Sequence, residues 1–273
     1  MQGLRHYLLA VQFFTRIPVT GRLADWVGYS PAMLRASAAH LPGIGVLVGG
    51  LAAALSWGLL RALPASPFAP LVVAVLGTVF TVLLTGGFHE DGLADVADGL
   101  GGSYDRNRAL EIMKDSRVGA FGAMALVLIL LSKVSLLALL GSQGAGVLVL
   151  ALLAGHVVSR TWPLLVIRWL PHVGDAAGSK SKPLADQISR GALLVGFLWC
   201  FVALALVGIA WAAMVSIAPV GKVLAAAVLG SALGAACMGW RLLQRLQGFT
   251  GDGLGATQQL GELGFYLGLA LAL

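Results

Sequence analysis

Apolar residues run along this chain in long blocks, not in short alternating strings. Blocks fall near 43–63, 70–88, 119–140, 145–167, 192–216, 221–241 and 258–273. Each of the first six approaches the roughly 20 residues that cross a bilayer core. The seventh is shorter and interrupted by glycine, so its span is the least secure. All are too long and too rich in Ala, Leu and Gly for the ten-residue alternating strands of a membrane barrel. The pattern predicts an all-α, polytopic transmembrane bundle of about six to seven spans in a single domain over 1–273. It also predicts an interfacial helix over residues 4–15. Arg5 precedes the apolar run "YLLAVQFF" there, and Arg16 and Pro18 follow without a small-residue cleavage site, unlike a signal peptide.

Composition strengthens this picture. The mean hydropathy is +0.89, and charged residues make up 11% of the chain, against roughly 25% in a soluble domain. Such a chain cannot cover a water-facing surface with charge, and membrane lipid is its expected surrounding. The net charge of +6 is dispersed between apolar blocks, which argues against a nucleic-acid face. Arg5, Arg16, Arg22 and Arg35 precede the first span; Arg106, Arg108, Lys114 and Arg117 lie between the second and third. Arg168, Lys180, Lys182 and Arg190 lie between the fourth and fifth, and Arg241 and Arg245 follow the sixth. Only Arg61 and Lys222 fall on the other side, so the N-terminus is expected in the cytoplasm and the C-terminus outside. Cys200 and Cys237 sit in apolar stretches and read as small core residues. Runs such as "GGLAAALSWG" and "GSALGAAC" read as faces for close helix packing.

The scarce acids are not scattered. Seven of the 12 fall between Glu90 and Asp115, and four lie within "GGFHEDGLADVADGLGG" (86–102). On a helix, Asp91, Asp95 and Asp98 occupy i, i+4 and i+7, within a stripe of roughly 60°. Like charges at that spacing destabilise a helix by a few tenths of a kcal/mol per pair, and more near a low-dielectric bilayer. A divalent cation removes that penalty. Oxygen ligands without His or Cys companions point to Mg²⁺ or Mn²⁺; His89 has no second such ligand at suitable spacing. The competing reading is a solvated acidic helix at the membrane surface. Mg²⁺ held by few carboxylates keeps positions for phosphate oxygens. Downstream, "DRNRALEIMKDSRVGAFGA" (105–123) supplies Arg106, Arg108, Lys114 and Arg117 beside Asp115. Arginine forks suit phosphate, although positive-inside bias alone also places basic residues in this loop.

Other residues are candidates. His156, Ser159 and Arg160 share a face of the fourth span, and a buried arginine there is a functional hypothesis or a structural pair. Lys133 in the third span is similar. Asp252, between glycines in "GFTGDGLGATQQLGE" (248–262), reads as a helix cap or as a further metal ligand. The polar loop 168–184 is a candidate substrate cover.

Five blocks together resemble the cobalamin synthase family of adenosylcobinamide-GDP ribazoletransferases. They are "FFTRIPVT" (13–20), "HLPGIGVLVGG" (40–50), "GGFHEDGLADVADG" (86–99), "ALEIMKDSRVGAFGA" (109–123) and "GDGLGATQQLGE" (251–262). The resemblance covers nearly the full length. It implies a multi-pass enzyme of the bacterial inner membrane with its active site facing the cytoplasm. It also implies Mg²⁺-dependent transfer of the adenosylcobinamide-phosphate group from adenosylcobinamide-GDP to the 5′-hydroxyl of α-ribazole or its 5′-phosphate, releasing GMP. On that reading Asp91, Asp95, Asp98 and Asp252 are metal residues, with Asp252 promoted from cap to site. Asp98, Asp115 and Arg117 are catalytic candidates, and Arg106, Lys114, Arg117 and Arg160 phosphate ligands; Glu90 lies where the family's pattern is variable. Homo-oligomerisation is left open. Two rivals remain: another membrane transferase using a lipid or prenyl pyrophosphate, and a secondary transporter. The first lacks the "DGxxAR…GxxxDxxxD" order here, since Asp91-Gly92 leads to Leu93, Ala94 and Asp95. The second calls for a mid-membrane site between repeats.

Overall fold

The computed structural model describes residues 2–174, 188–215 and 218–273. Helix α1 (Gln2–Phe14) covers most of the helix expected over 4–15 and buries Leu9, Ala10, Val11 and Phe14. Two short helices follow, α2 (Gly21–Val27) and α3 (Pro31–Ser37). Ser30 caps α3 by accepting from the Met33 amide at 3.1 Å, and Pro31 takes the first helical position, where a missing N–H costs nothing. A 3₁₀ turn, Ala38–His40, leads into α4 (Leu41–Ala62).

Helix α5 (Ala69–Thr85) ends earlier than the 70–88 block suggests. Gly86 and Gly87 adopt φ of 71° and 69°, a left-handed conformation cheap only for glycine. The chain therefore breaks, and α6 (Phe88–Gly102) runs at 88° to α5, across its end. The acidic stretch is thus removed from the span that precedes it. Helix α7 (Arg106–Ile112), capped by Asp105, precedes α8 (Ala120–Ser142). Helices α9 (Ala145–Ser159) and α10 (Trp162–Trp169) form one long rod. Then come α11 (Arg190–Met214), α12 (Val220–Leu246) and α13 (Gly251–Ala272).

Among the described residues five rods are long and apolar enough to cross a membrane: Pro31–Ala62, Ala120–Ser142, Ala145–Trp169, Arg190–Met214 and Val220–Leu246, with α5 and α6 a sixth if the bent pair is one span. Large apolar side chains stand exposed along α8 and α11, including Leu128, Leu131, Leu198, Phe201 and Ile209. Faces of that extent mark contact with a membrane or with another protein. The seventh block differs from expectation. It is the C-terminal part of α13, which starts at Gly251 and is not among the apolar spans, because it carries Asp252, Gln258, Gln259 and Glu262. It is packed inside the bundle instead. Gly230 of α12 faces Gly264 and Gly268 of α13, and Gly234 faces Leu260 and Gly261, backbone against backbone, the close approach anticipated from the small-residue runs. Most of the polar loop at 168–184 lies outside the described residues.

Candidate active site

The Gly86–Gly87 break decides where the α6 side chains point. His89 and Glu90 turn into the protein and are buried, Asp91 is exposed, and Asp95 is half-buried. Helix α6 crosses the first turn of α13 with no side chain between them. A Cβ added at Gly92 would lie 2.7 Å from the Asp252 carbonyl oxygen and 2.9 Å from its Cα. Gly255 likewise meets the His89 backbone, with its Cβ position 3.2 Å from the His89 Cα. This crossing brings Asp252 to the stripe. Burial, then the charges of Asp252, Asp91 and Asp98, push the Asp95 carboxyl from 3.8 up to about 7. Among the described residues no three His, Cys, Asp or Glu side chains form a ready-made metal cage. The arrangement suits a cation that takes few protein ligands and completes its shell with phosphate and water, as Mg²⁺ does. Thr250 caps α13 by accepting from the Gly253 amide at 3.2 Å. Asp252 therefore is not the N-cap, and its charge in the first turn favours the helix dipole.

Asp98 is placed differently from Asp91 and Asp95. It is buried, and its two carboxylate oxygens accept from the amides of Gly119 at 2.7 Å and Gly122 at 2.8 Å. That cap satisfies two orphan donors at the start of α8 and ties the start of α8 to α6. Asp115 and Arg117 form an exposed fork, with Arg117 Nη2 2.6 Å from Asp115 Oδ2 and Arg117 Nε donating to Asp115 Oδ1 at 3.0 Å. The Arg117 hydrogen bonds hold the Asp115 carboxyl down at about 2. Arg106 is engaged elsewhere, its Nε donating to the Leu246 carbonyl at 2.7 Å to close the end of α12. Lys114 is exposed, and Arg108 pairs with Glu111 at 2.9 Å on the surface.

Arg160 does not join the acidic rim. It is 2% exposed, and Nη1 lies 3.0 Å from His156 Nδ1 and 3.1 Å from the His156 carbonyl. It belongs to a buried polar cluster on α8, α9, α6 and α13 whose hub is Glu262. Lys133 Nζ lies 2.7 Å from Glu262 Oε1, and Tyr266 donates to the same oxygen at 3.0 Å. Gln258 Nε2 donates to Glu262 Oε2 at 2.7 Å and to Ser159 Oγ at 3.1 Å. Gln259 Nε2 donates to Glu90 Oε1 at 3.0 Å. Charges so deep persist only when paired and hydrogen-bonded.

The family model for cobalamin-5-phosphate synthase matches residues 6–270. The chain belongs to this family. It is 65% identical to the adenosylcobinamide-GDP ribazoletransferase of Albidiferax ferrireducens, over 100% of this chain and 99% of that protein. It is 48% identical to that of Leptothrix cholodnii, over 97% and 94%, and 39% identical to that of Vibrio cholerae, over 97% and 92%. No solved structure matches. Membership makes the chain a transferase of cobalamin biosynthesis, so the transporter reading falls.

Within this cobalamin-5-phosphate synthase family member, the fold joins three of the motifs. Gly92 and Asp252 connect the acidic block to the "GDGLGA" block, and Asp98 connects it to the block around Gly119. Glu262, Gln258, Gln259 and Tyr266 were not singled out as candidates in the sequence. The signal was available: 258, 262 and 266 repeat at one turn along a helix otherwise apolar. The cavity bordered by His89, Gln258, Phe14 and Phe88 holds about 30 Å³, room for one water. A groove of about 440 Å³ between α10 and α12 is walled by Trp162, Trp169, Trp240 and Ala236.

Proposed function

We propose that this chain transfers the adenosylcobinamide-phosphate group of adenosylcobinamide-GDP to the 5′-hydroxyl of α-ribazole or its 5′-phosphate, at a Mg²⁺ site on the cytoplasmic rim of the bacterial inner membrane. The relatives carry this transferase name. The observation that carries the site is the bare backbone crossing at Gly92, which sets Asp252 beside Asp91 and Asp95.

Asp91, Asp95 and Asp252 would hold the cation. When bound, Mg²⁺ supplies positive charge against the diphosphate oxygens and the departing phosphate. The ribazole 5′-oxygen forms a bond to the cobinamide-side phosphorus, the P–O bond to the GMP phosphate breaks, and GMP leaves with the bonding electron pair. The hydroxyl proton passes to a carboxylate at the rim. Asp98, with both oxygens held by amides, is poorly placed to receive it. Arg117 and Lys114, both exposed on the adjoining loop, are the cations that would meet diphosphate oxygens. Arg117 would exchange its Asp115 fork for a phosphate fork of the same geometry. Arg106 and Arg160 serve the scaffold from their observed positions, closing α12 and filling the buried cluster. Catalysis of this kind needs positioning and charge neutralisation, with no covalent intermediate on the protein.

Purified protein given adenosylcobinamide-GDP and α-ribazole should release GMP in proportion to ribazole consumed, and only with a divalent cation present. Release of GMP without consumption of ribazole, or full turnover in excess chelator, would contradict the proposal.

A further inference from the structure

Glu90 is the acid of the 90–98 stretch that turns away from the rim. It is 8% exposed, and its Oε1 accepts from Gln259 Nε2 at 3.0 Å. Its Oε2 is buried with no hydrogen-bond partner among the described residues. An acid held in that state is costly, so the cluster must compensate it. Arg160 lies within electrostatic reach of both Glu90 and Glu262. Gln259 Nε2 also reaches Gln258 Oε1 at 3.0 Å, and Gln258 passes the chain on to Glu262 and Lys133. A continuous line of contacts therefore runs from α8 through α13 to the first turn of α6, ending on the residue next to Asp91.

Helix geometry gives this line a direction. Asp252 and Gln259 are seven residues apart, about two turns, so they share one face of α13 and are separated by roughly 10 Å along its axis. The face that presents Asp252 at the rim grips Glu90 below it. The glycine contacts at Gly92 and Gly255 set how closely α6 and α13 approach. They carry no directional bond between side chains; the Gln259–Glu90 bond does.

We propose that Glu90 and Gln259 are positioning residues for the metal site, fixing the register of α6 on α13 so that Asp91 and Asp95 meet Asp252. This rests on the reading that those three aspartates hold a divalent cation. Glu90 itself touches neither metal nor substrate.

Mn²⁺ serves as the probe, its binding to the detergent-solubilised full-length protein followed by electron paramagnetic resonance, with thermal unfolding run in parallel. Glu90→Leu and Gln259→Leu each remove the bond, from opposite sides. Each should weaken Mn²⁺ binding by roughly tenfold, the low end of the loss that follows removal of a group bonded to a metal ligand, because Glu90 and Gln259 act through helix register. Glu90→Gln retains the accepting oxygen and should stay within about threefold of wild type. Asp95→Asn, which strikes a ligand directly, should lose binding. If a folded Glu90→Leu or Gln259→Leu protein binds Mn²⁺ as tightly as wild type while Asp95→Asn does not, the positioning role is overturned and the metal reading stands. A lowered unfolding temperature with unchanged Mn²⁺ affinity counts as that same refutation. If wild type takes up no Mn²⁺, or Asp95→Asn binds it normally, the metal reading fails and this inference with it. Should Glu90→Leu fail to fold, Gln259→Leu carries the test.

Discussion

Replacing Gly92 by alanine adds one methyl group at the point where the two carboxylate-bearing helices touch. The new Cβ would lie 2.7 Å from the Asp252 carbonyl oxygen, 2.9 Å from its Cα and 3.2 Å from its carbonyl carbon, where ordinary contact begins at 3.4 Å. All three obstructing atoms are backbone, so no side chain can swing aside. The helices must part by about 0.7 Å to restore contact with the oxygen. Overpacking of this kind costs about 1–3 kcal/mol, which a folded bundle survives. The catalytic penalty is comparable in size. Mg²⁺ demands oxygen ligands at about 2.0–2.1 Å, and a misplacement of about 1 Å costs on the order of 100-fold in rate. Gly92→Ala should therefore remain folded in detergent, lose about 10–100-fold in GMP release, and need more Mg²⁺ to reach its maximum. Gly58→Ala on α4, where a Cβ meets nothing within 4 Å, is the control and should turn over normally. Wild-type GMP release with wild-type Mg²⁺ dependence in Gly92→Ala would refute the reasoning.

Asp98 and Asp95 should separate in their effects. Asp98→Ala strips the acceptors from Gly119 and Gly122 and should lower stability by about 1–3 kcal/mol, read as a fall in unfolding temperature; Asp95→Asn should abolish turnover without that fall. The Asp95 carboxyl is raised from 3.8 to about 7, so the folded state holds its proton more tightly than the unfolded chain. Its contribution to metal-free stability is full below about pH 4 and is lost as pH rises towards 7; unfolding temperatures measured across that window should slope downward in wild type and less steeply in Asp95→Asn. Arg117→Ala removes an exposed side chain whose fork to Asp115 is open to water. It should raise KM for the diphosphate substrate and leave the unfolding temperature unchanged.

The bundle was legible because apolar block length is a strong signal, and six blocks produced helices close to their expected bounds. Two elements were not. The α5–α6 break depends on the left-handed pair Gly86–Gly87; glycine marks where a helix ends, but not that the next one turns through 88°. Helix α13 is under-read in the sequence because Gln258, Gln259 and Glu262 break its apolarity, and only tertiary partners on α6, α8 and α9 explain why a helix so polar can be buried. The same limit applies to the site. Spacing placed Asp91 and Asp95 on one stripe, and the family resemblance added Asp252. Spacing also put Asp98 on that stripe, since periodicity reports the face of a helix and cannot report that the Gly119 and Gly122 amides wait there. Arg160 was marked by its cost in a span, but its partners Glu262 and Glu90 lie on other helices.

The most direct test is electron–nuclear double resonance on Mn²⁺ bound to the solubilised protein together with adenosylcobinamide-GDP. The account predicts phosphorus couplings that place the diphosphate in the inner sphere of the ion, and their disappearance in Asp91→Asn and Asp95→Asn. Bound substrate with no phosphorus coupling to the metal, or couplings unchanged in both variants, would contradict it.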